Sequence, residues 1–165
     1  MVEFNLKGIS VKAIVEISRH DYKDASCRYR TRFDREVRVE ADFWGFSIAG
    51  NLSELSFIKS TLSFFMQAYW KRTRKEGAKI DLTKSLHHNA PNGKRQSLAF
   101  VARQKANEQY LHICLHQDGN KGGECYLDGQ EVIMLDIALG KAINLLAPAL
   151  KVQVEGAASV SAYQF

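Results

Sequence analysis

Residues 26–41 read SCRYRTRFDREVRVEA, and this stretch decides the fold class because its residues change character at every step. Arg28, Arg30 and Arg32 fall on one parity, and Cys27, Tyr29, Thr31 and Phe33 on the other. A period of two marks a β-strand, whose successive side chains leave opposite faces. The stretch divides into one strand over 26–34, bearing a guanidinium stripe, and another over 36–41, where Val37 and Val39 alternate with Arg38 and Glu40. Paired antiparallel, they put Arg38 on the same sheet face as Arg28, Arg30 and Arg32.

Working outward, residues 9–18 alternate through Val11, Ala13, Val15 and Ile17, and 43–49 are dense in aromatic residues. Four strands are therefore expected before the first helix. Asn51, with Glu54 three residues on, has the spacing of a capping box. Leu55, Ile58, Leu62, Phe65, Met66 and Tyr69 then recur at steps of three and four, which predicts one wide apolar helix face. Lys71, Arg72, Arg74 and Lys75 precede Gly77, cations where the helix dipole favours them.

Beyond Gly77 the order starts again. A short strand is expected over 79–84, an exposed loop over 86–94, and strands over 96–103 and 108–117. A glycine-rich turn follows at 118–123, then a hairpin of 124–127 and 131–134 around Asp128-Gly129, and a second helix from Asp136 to Pro148. The expected fold is α+β: two antiparallel strand-rich units, each closed by an amphipathic helix, in the order ββββα-ββββα. The halves, 9–76 and 79–148, share one domain spanning 1–165. A tail over 149–165 opens with an edge strand and offers Tyr163 and Phe165 to a neighbour.

With 165 residues, the chain is long enough to bury a core without metal or disulfide help. Two prolines and eleven glycines exclude collagen-like and low-complexity classes. Three cysteines, Cys27, Cys114 and Cys125, do not complete an internal disulfide set, so a reducing compartment such as the cytoplasm is expected. There is no basic-then-apolar leader at the start and no run of 18 apolar residues, so no membrane association is expected.

The formal charge of +5 conceals an uneven distribution. Residues 71–105 hold ten basic side chains against Glu76 and Asp81, whereas residues 106–165 hold three basic against seven acidic. Lys94 and Arg95 stand beside Asn92 and Gly93 at an expected hairpin tip, with Arg103 further along the next strand. Cations in strands beside rings suit single-stranded nucleic acid, which needs charge along its phosphates and aromatic faces for its bases. The candidate residues are Arg28, Arg30, Arg32, Arg38, Lys94, Arg95 and Arg103 for phosphates, with Tyr22 and Trp44 for stacking. Phe43, Phe46 and Ile48 fit the core better.

Other chemistry is weaker. His112, Cys114 and His116 share one face of a single strand, and Cys125 lies on the next. Donors at i and i+4 stand about 14 Å apart along an extended strand, too far for one ion, so no metal and no cofactor is expected. No dinucleotide, phosphate-loop, nucleophile-elbow or zinc-protease string occurs. Asp21, Asp24, Asp34, Glu36, Glu40 and Asp42 are numerous enough for a nuclease, but they interleave with arginines as cross-strand pairs do. A binding protein rather than an enzyme is expected. The alternatives are a protein-interaction or structural module with a basic face, and a nuclease.

The arginine stripe, the capped helix from Asn51, the strands over 96–134 and the Leu135-Asp136 start of the second helix together resemble the Whirly-type fold and the related transcriptional-coactivator p15 (PC4) family. The resemblance spans about residues 9–148. It lacks the lysine- and glycine-rich strand motif of plant Whirly proteins. The resemblance implies weakly sequence-specific binding of single-stranded DNA, ahead of RNA, in transcription, replication or recombination. It also implies homo-oligomers held through helix faces.

Overall fold

A computed structural model describes residues 2–74, 79–89 and 92–155, with backbone alone at 72–74 and 147–155. The order is β1 (Val2–Leu6), β2 (Ile9–Lys23), β3 (Tyr29–Phe43), β4 (Phe46–Ala49), α1 (Leu52–Arg74), β5 (Thr83–Asn89), β6 (Arg95–Lys105), β7 (Glu108–Gln117), β8 (Asn120–Leu127) and α2 (Gly129–Glu155). Each set of four strands forms an antiparallel sheet in sequence order, which gives the expected ββββα-ββββα arrangement.

Tight turns set the register. Lys7-Gly8, Trp44-Gly45, Ala106-Asn107 and Asp118-Gly119 all have positive φ, and each joins two strands paired directly on either side. Two-residue loops with both residues left-handed match the natural twist of a hairpin. In sheet 1, β1 to β4, this register turns Ile9, Val11, Ala13, Val39, Ala41, Phe43, Phe46 and Ile48 inward. In sheet 2, β5 to β8, the inward residues include Leu98, Phe100, Leu111, Ile113, Leu115 and Leu127. They join Leu55, Ile58, Leu62 and Phe65 of α1, and Val132, Leu135, Leu139 and Ala142 of α2, in one core. Phe43 meets Phe100 edge to face at 6.3 Å, so the inner faces of the two sheets touch directly.

Several boundaries differ from the sequence reading. The strands expected over 26–34 and 36–41 form one strand, β3, whose partner β2 runs on to Lys23, while β1 supplies the fourth strand of the sheet. Residues 86–89 of the loop expected over 86–94 are strand, because β5 pairs with β6 from Thr83 to Asn89, whereas 92–94 lie in the turn before β6. Residues 79–82 are not strand, although Ile80 and Leu82 are buried. The turn before β8 is shorter than expected, since pairing resumes at Asn120.

Asp128-Gly129 starts a helix instead of a hairpin. The Asp128 carboxylate accepts from the Glu131 amide at 2.8 Å, and the Glu131 carboxylate accepts from the Asp128 amide at 3.2 Å. This reciprocal cap opens α2 eight residues before Asp136. The helix also runs through Pro148, which lacks one backbone donor but does not end it; residues 150–155 are therefore helix and not an edge strand. Tyr163 and Phe165 lie outside the described residues. At α1 the expected cap is present: Asn51 Oδ1 accepts from the Glu54 amide at 3.1 Å, and Asn51 Nδ2 donates to the Glu54 carboxylate at 2.7 Å.

Candidate nucleic-acid interface

Because β2 and β3 have 15 residues each, their far ends leave the body of the molecule as an arm. Residues 16–23 and 29–36 are exposed on both faces, and an extended hairpin of that length projects about 25 Å. Ile17, Phe33 and Tyr29 are 69%, 65% and 79% exposed on one face of the arm. Lys23 Nζ lies 5.0 Å from the centre of the Tyr29 ring.

Arg30, Arg32 and Arg38 share the other face, with Tyr22 directly across from Arg30. The stripe is real, yet each of these three guanidinium groups meets a carboxylate. Arg30 pairs with Asp24 at 3.0 Å and Arg32 with Asp34 at 3.1 Å. Arg38 pairs with Glu36 at 3.0 Å and with Glu16 at 3.7 Å. The Glu36 and Glu16 carboxylates raise the Arg38 pKa further. Residues 16–36 carry six basic and five acidic side chains, so the arm is close to neutral.

Arg28 sits in the turn at the arm's tip. That turn is organised by Asp24, whose carboxylate accepts from the amides of Ser26 at 2.9 Å and Arg28 at 3.0 Å. The Arg28 amide, followed by the Arg30 side chain, holds the Asp24 pKa below the usual carboxylate value.

Trp44 does not offer a free ring for stacking. It is half-buried in the β3–β4 turn, with its indole N–H donating to the Lys7 carbonyl at 3.2 Å and its ring edge-on to Phe43. A Cβ on either Gly8 or Gly123 would overlap the indole. The base-stacking role expected for Trp44 is thus replaced by a structural one. Tyr22 remains half exposed.

Arg95 and Arg103 lie on β6 of sheet 2, and Lys94 immediately precedes that strand. The outward parity of β6 is Arg95, Ser97, Ala99, Val101, Arg103 and Lys105. Small side chains thus form a shallow floor between cations at either end. Register places His87 and His116 on either side of Ser97, and Tyr110 opposite Arg103. Lys94, Arg95, Arg103 and Lys105 make no ion pair among the described residues.

Two concavities lie at the ends of this floor. One, of about 840 Å³, is lined by His87, Arg95, Ser97, His116 and Asp118, among others. The second, of about 650 Å³, is lined by Lys7, Arg103, Lys105, Tyr110 and Tyr126, among others. Lys7 reaches it across the sheet boundary, donating to the Tyr126 carbonyl at 2.8 Å and to Glu131 at 2.9 Å. The Tyr110 hydroxyl donates to Glu108, which raises its pKa. Sequence reasoning missed Lys7, Lys105, Tyr110 and Tyr126. The parity of β6 already aligned Lys105 with Arg103, but the placement of Lys7 depends on contacts more than a hundred residues apart.

The candidate residues therefore occupy two surfaces, an arm on which Arg30, Arg32 and Arg38 are ion-paired and Arg28 is not, and a sheet face whose cations make no ion pair among the described residues, on an α+β scaffold of two four-stranded sheets. No protein-family model and no curated protein matches this chain. Among solved structures it is similar to WHY1 from Arabidopsis thaliana, at 8% identity over 87% of this chain and 88% of that one, with a TM-score of 0.37. It is also similar to WHY3 from Arabidopsis thaliana, at 8% identity over 94% of each chain, with a TM-score of 0.38. These are weak structural similarities.

Proposed function

We propose that the protein binds single-stranded nucleic acid, with little sequence preference, across the outer face of sheet 2. The observation that carries this reading is the group of cations without ion pairs among the described residues, Lys94, Arg95, Arg103 and Lys105, flanking a floor of small residues beside the exposed Tyr126 ring and the half-buried Tyr110 ring. Phosphates bind the cations, and bases stack on Tyr126 and Tyr110. Arg28 and Tyr22 extend the surface at the arm. Arg30, Arg32 and Arg38 contribute less, because each must exchange a carboxylate partner for a phosphate.

A binding role rather than a catalytic one is supported by the carboxylates of the arm, which are committed to arginines instead of gathered around an open site. The helix faces supply the remaining partner. Phe64 on α1 and Met134 and Ile137 on α2 are about half exposed, apolar surface that a second copy of the chain would cover. Light scattering that finds only monomer at high protein concentration would remove this element of the proposal.

Titrating fluorescent DNA and RNA oligonucleotides against the protein at several salt concentrations tests the main reading. Four phosphate contacts on a single strand predict a slope of about −3 in log affinity against log salt, at about 0.7 per contact. Binding that ignores salt, or no binding to either polymer at low salt, would refute it. Preference between DNA and RNA is read from the same titration, with DNA the expected winner.

A further inference from the structure

On the same sheet face, but independent of any nucleic acid, three side chains converge that the sequence did not group. We propose that His112, Cys114 and Glu124 form a binding site for a divalent d-block cation, with zinc the natural occupant. The His112 ring nitrogen, the Cys114 sulfur and a Glu124 oxygen all lie within 4.8 Å of one another. Bonds of about 2.0–2.3 Å at tetrahedral angles separate zinc donors by about 3.3–3.7 Å, so the cluster needs only small adjustments to close on an ion.

The strand register builds this cluster. Cys114 on β7 is directly paired with Glu124 on β8, and His112, two residues earlier on β7, points to the same face. Across β6, the facing residues are Ala99 and Val101, neither of which carries a competing donor or charge. The His112 ring is fixed by stacking on Tyr126, with centres 4.3 Å apart and planes 4° from parallel. Both His112 and Cys114 are buried, which favours a site that is organised before the ion arrives.

Glu124 divides its two oxygens between two tasks. Oε1 takes a 2.6 Å ion pair from Lys121, whereas Oε2 lies 2.8 Å from His112 Nε2. Lys121 and His112 together hold the Glu124 pKa below the ordinary carboxylate value. An ion inserted between His112 and Oε2 replaces their hydrogen bond: the ring ligates through Nε2 as its Nδ1–H tautomer, any proton on Nε2 passing to solvent, and Lys121 stays in place as an outer partner that orients the carboxylate.

Nitrogen, sulfur and oxygen donors together suit zinc, whereas magnesium and calcium require mainly oxygen. Two neighbouring donors, Cys125 and His116, do not complete the set. Cys125 pairs with Ile113 and belongs to the core, where burial pushes its thiol up to about 12. His116 lies another strand step beyond Cys114, past the irregularity at Leu115/His116. The fourth position therefore faces solvent and takes water.

On binding, the Cys114 S–H bond breaks, its proton passes to solvent, and the sulfur bonds to the ion as thiolate, with no change of oxidation state. Affinity therefore rises with pH.

The test uses cobalt(II) as a spectroscopic stand-in, added to the fully reduced protein. One equivalent is expected to give a sulfur-to-cobalt charge-transfer band with the strong visible absorption of four-coordinate cobalt, and zinc is expected to abolish both. Cys27→Ser retains the band, and Cys114→Ser loses it. Glu124→Gln, at an exposed position where folding is not at stake, weakens binding at least tenfold. No charge-transfer band in the reduced wild type would overturn the proposal, as would a band that survives Cys114→Ser or undiminished affinity in Glu124→Gln.

Discussion

The two sheets have the same strand count, the same order and the same closing helix, yet they treat charge in opposite ways. Sheet 1 sends β2 and β3 beyond the core and gives carboxylate partners to Arg19, Arg30, Arg32 and Arg38, though not to Arg28 or Arg35 among the described residues. Sheet 2 keeps its strands over the core and leaves Lys94, Arg95, Arg103 and Lys105 unpaired among the described residues. The difference teaches that a stripe of arginines measures the capacity for pairing, not the field available to a ligand. What matters is which cations lack a carboxylate within reach.

The largest contrast is in stability. Phe100→Ala empties a fully buried site that touches Phe43 and is expected to cost about 3–5 kcal/mol in chemical denaturation. Phe33→Ala, on the exposed arm, is expected to change stability by less than about 0.5 kcal/mol. A large loss at Phe33 would mean that the arm is covered in solution, and the two regions would no longer differ in kind.

Next in size is the effect on binding. Replacing Arg95 and Arg103 together by alanine is expected to lower oligonucleotide affinity at least tenfold and to halve the salt slope, from about −3 to about −1.5. Removing Arg30, Arg32 and Arg38 together is expected to change affinity less than threefold, as measured by fluorescence anisotropy. The reverse ranking would move the interface to the arm.

A smaller effect compares the helix starts. Asp128→Ala removes the acceptor for the Glu131 amide and is expected to cost about 1 kcal/mol; Asn51→Ala is expected to cost a similar amount at α1. Thermal unfolding of the two variants measures whether the halves are equally dependent on their caps.

The smallest effect is local and pH-dependent. Asp24 has a lowered pKa in the folded arm, so the turn it organises is fully supported above the ordinary carboxylate pKa and loses that support as pH falls through the lowered value. Amide exchange at Ser26 and Arg28 is expected to report this opening in acid, while the sheet 2 amides remain protected. Simultaneous loss in both regions would show the arm to be part of one cooperative unit.

Much of the fold was legible because its signals are local. Asn51 and Glu54 announced α1, and alternation through Leu111, Ile113 and Leu115 announced β7. Asp128-Gly129 misled because one dipeptide serves both a tight turn and a helix cap; the deciding information was the spacing of Val132, Leu135 and Leu139, which extends the helical period backward. His87, His88 and Asn89 suggested a loop because β5 is an edge strand, and edge strands carry polar residues without ceasing to be strands.

The site was less legible. The arginine parity was visible, but that Arg38 sits near Glu16 follows from the Val15–Val37 register, which no short window contains. The same holds for Glu124, which replaces His116 as the third member of the His112 and Cys114 group only once β8 is laid beside β7.

Trp44 carries a further consequence. Its indole lies between Gly8 in the β1–β2 turn of the first sheet and Gly123 of the second, its N–H donating to the Lys7 carbonyl and its ring pressed against both glycines through space that only hydrogen atoms leave free. The molecule therefore contains its own optical gauge of the seam between its halves. Separation of the sheets changes the surroundings of this indole before any strand needs to melt, so its fluorescence reports their parting, whereas Trp70 on α1 is already exposed and serves as the internal reference.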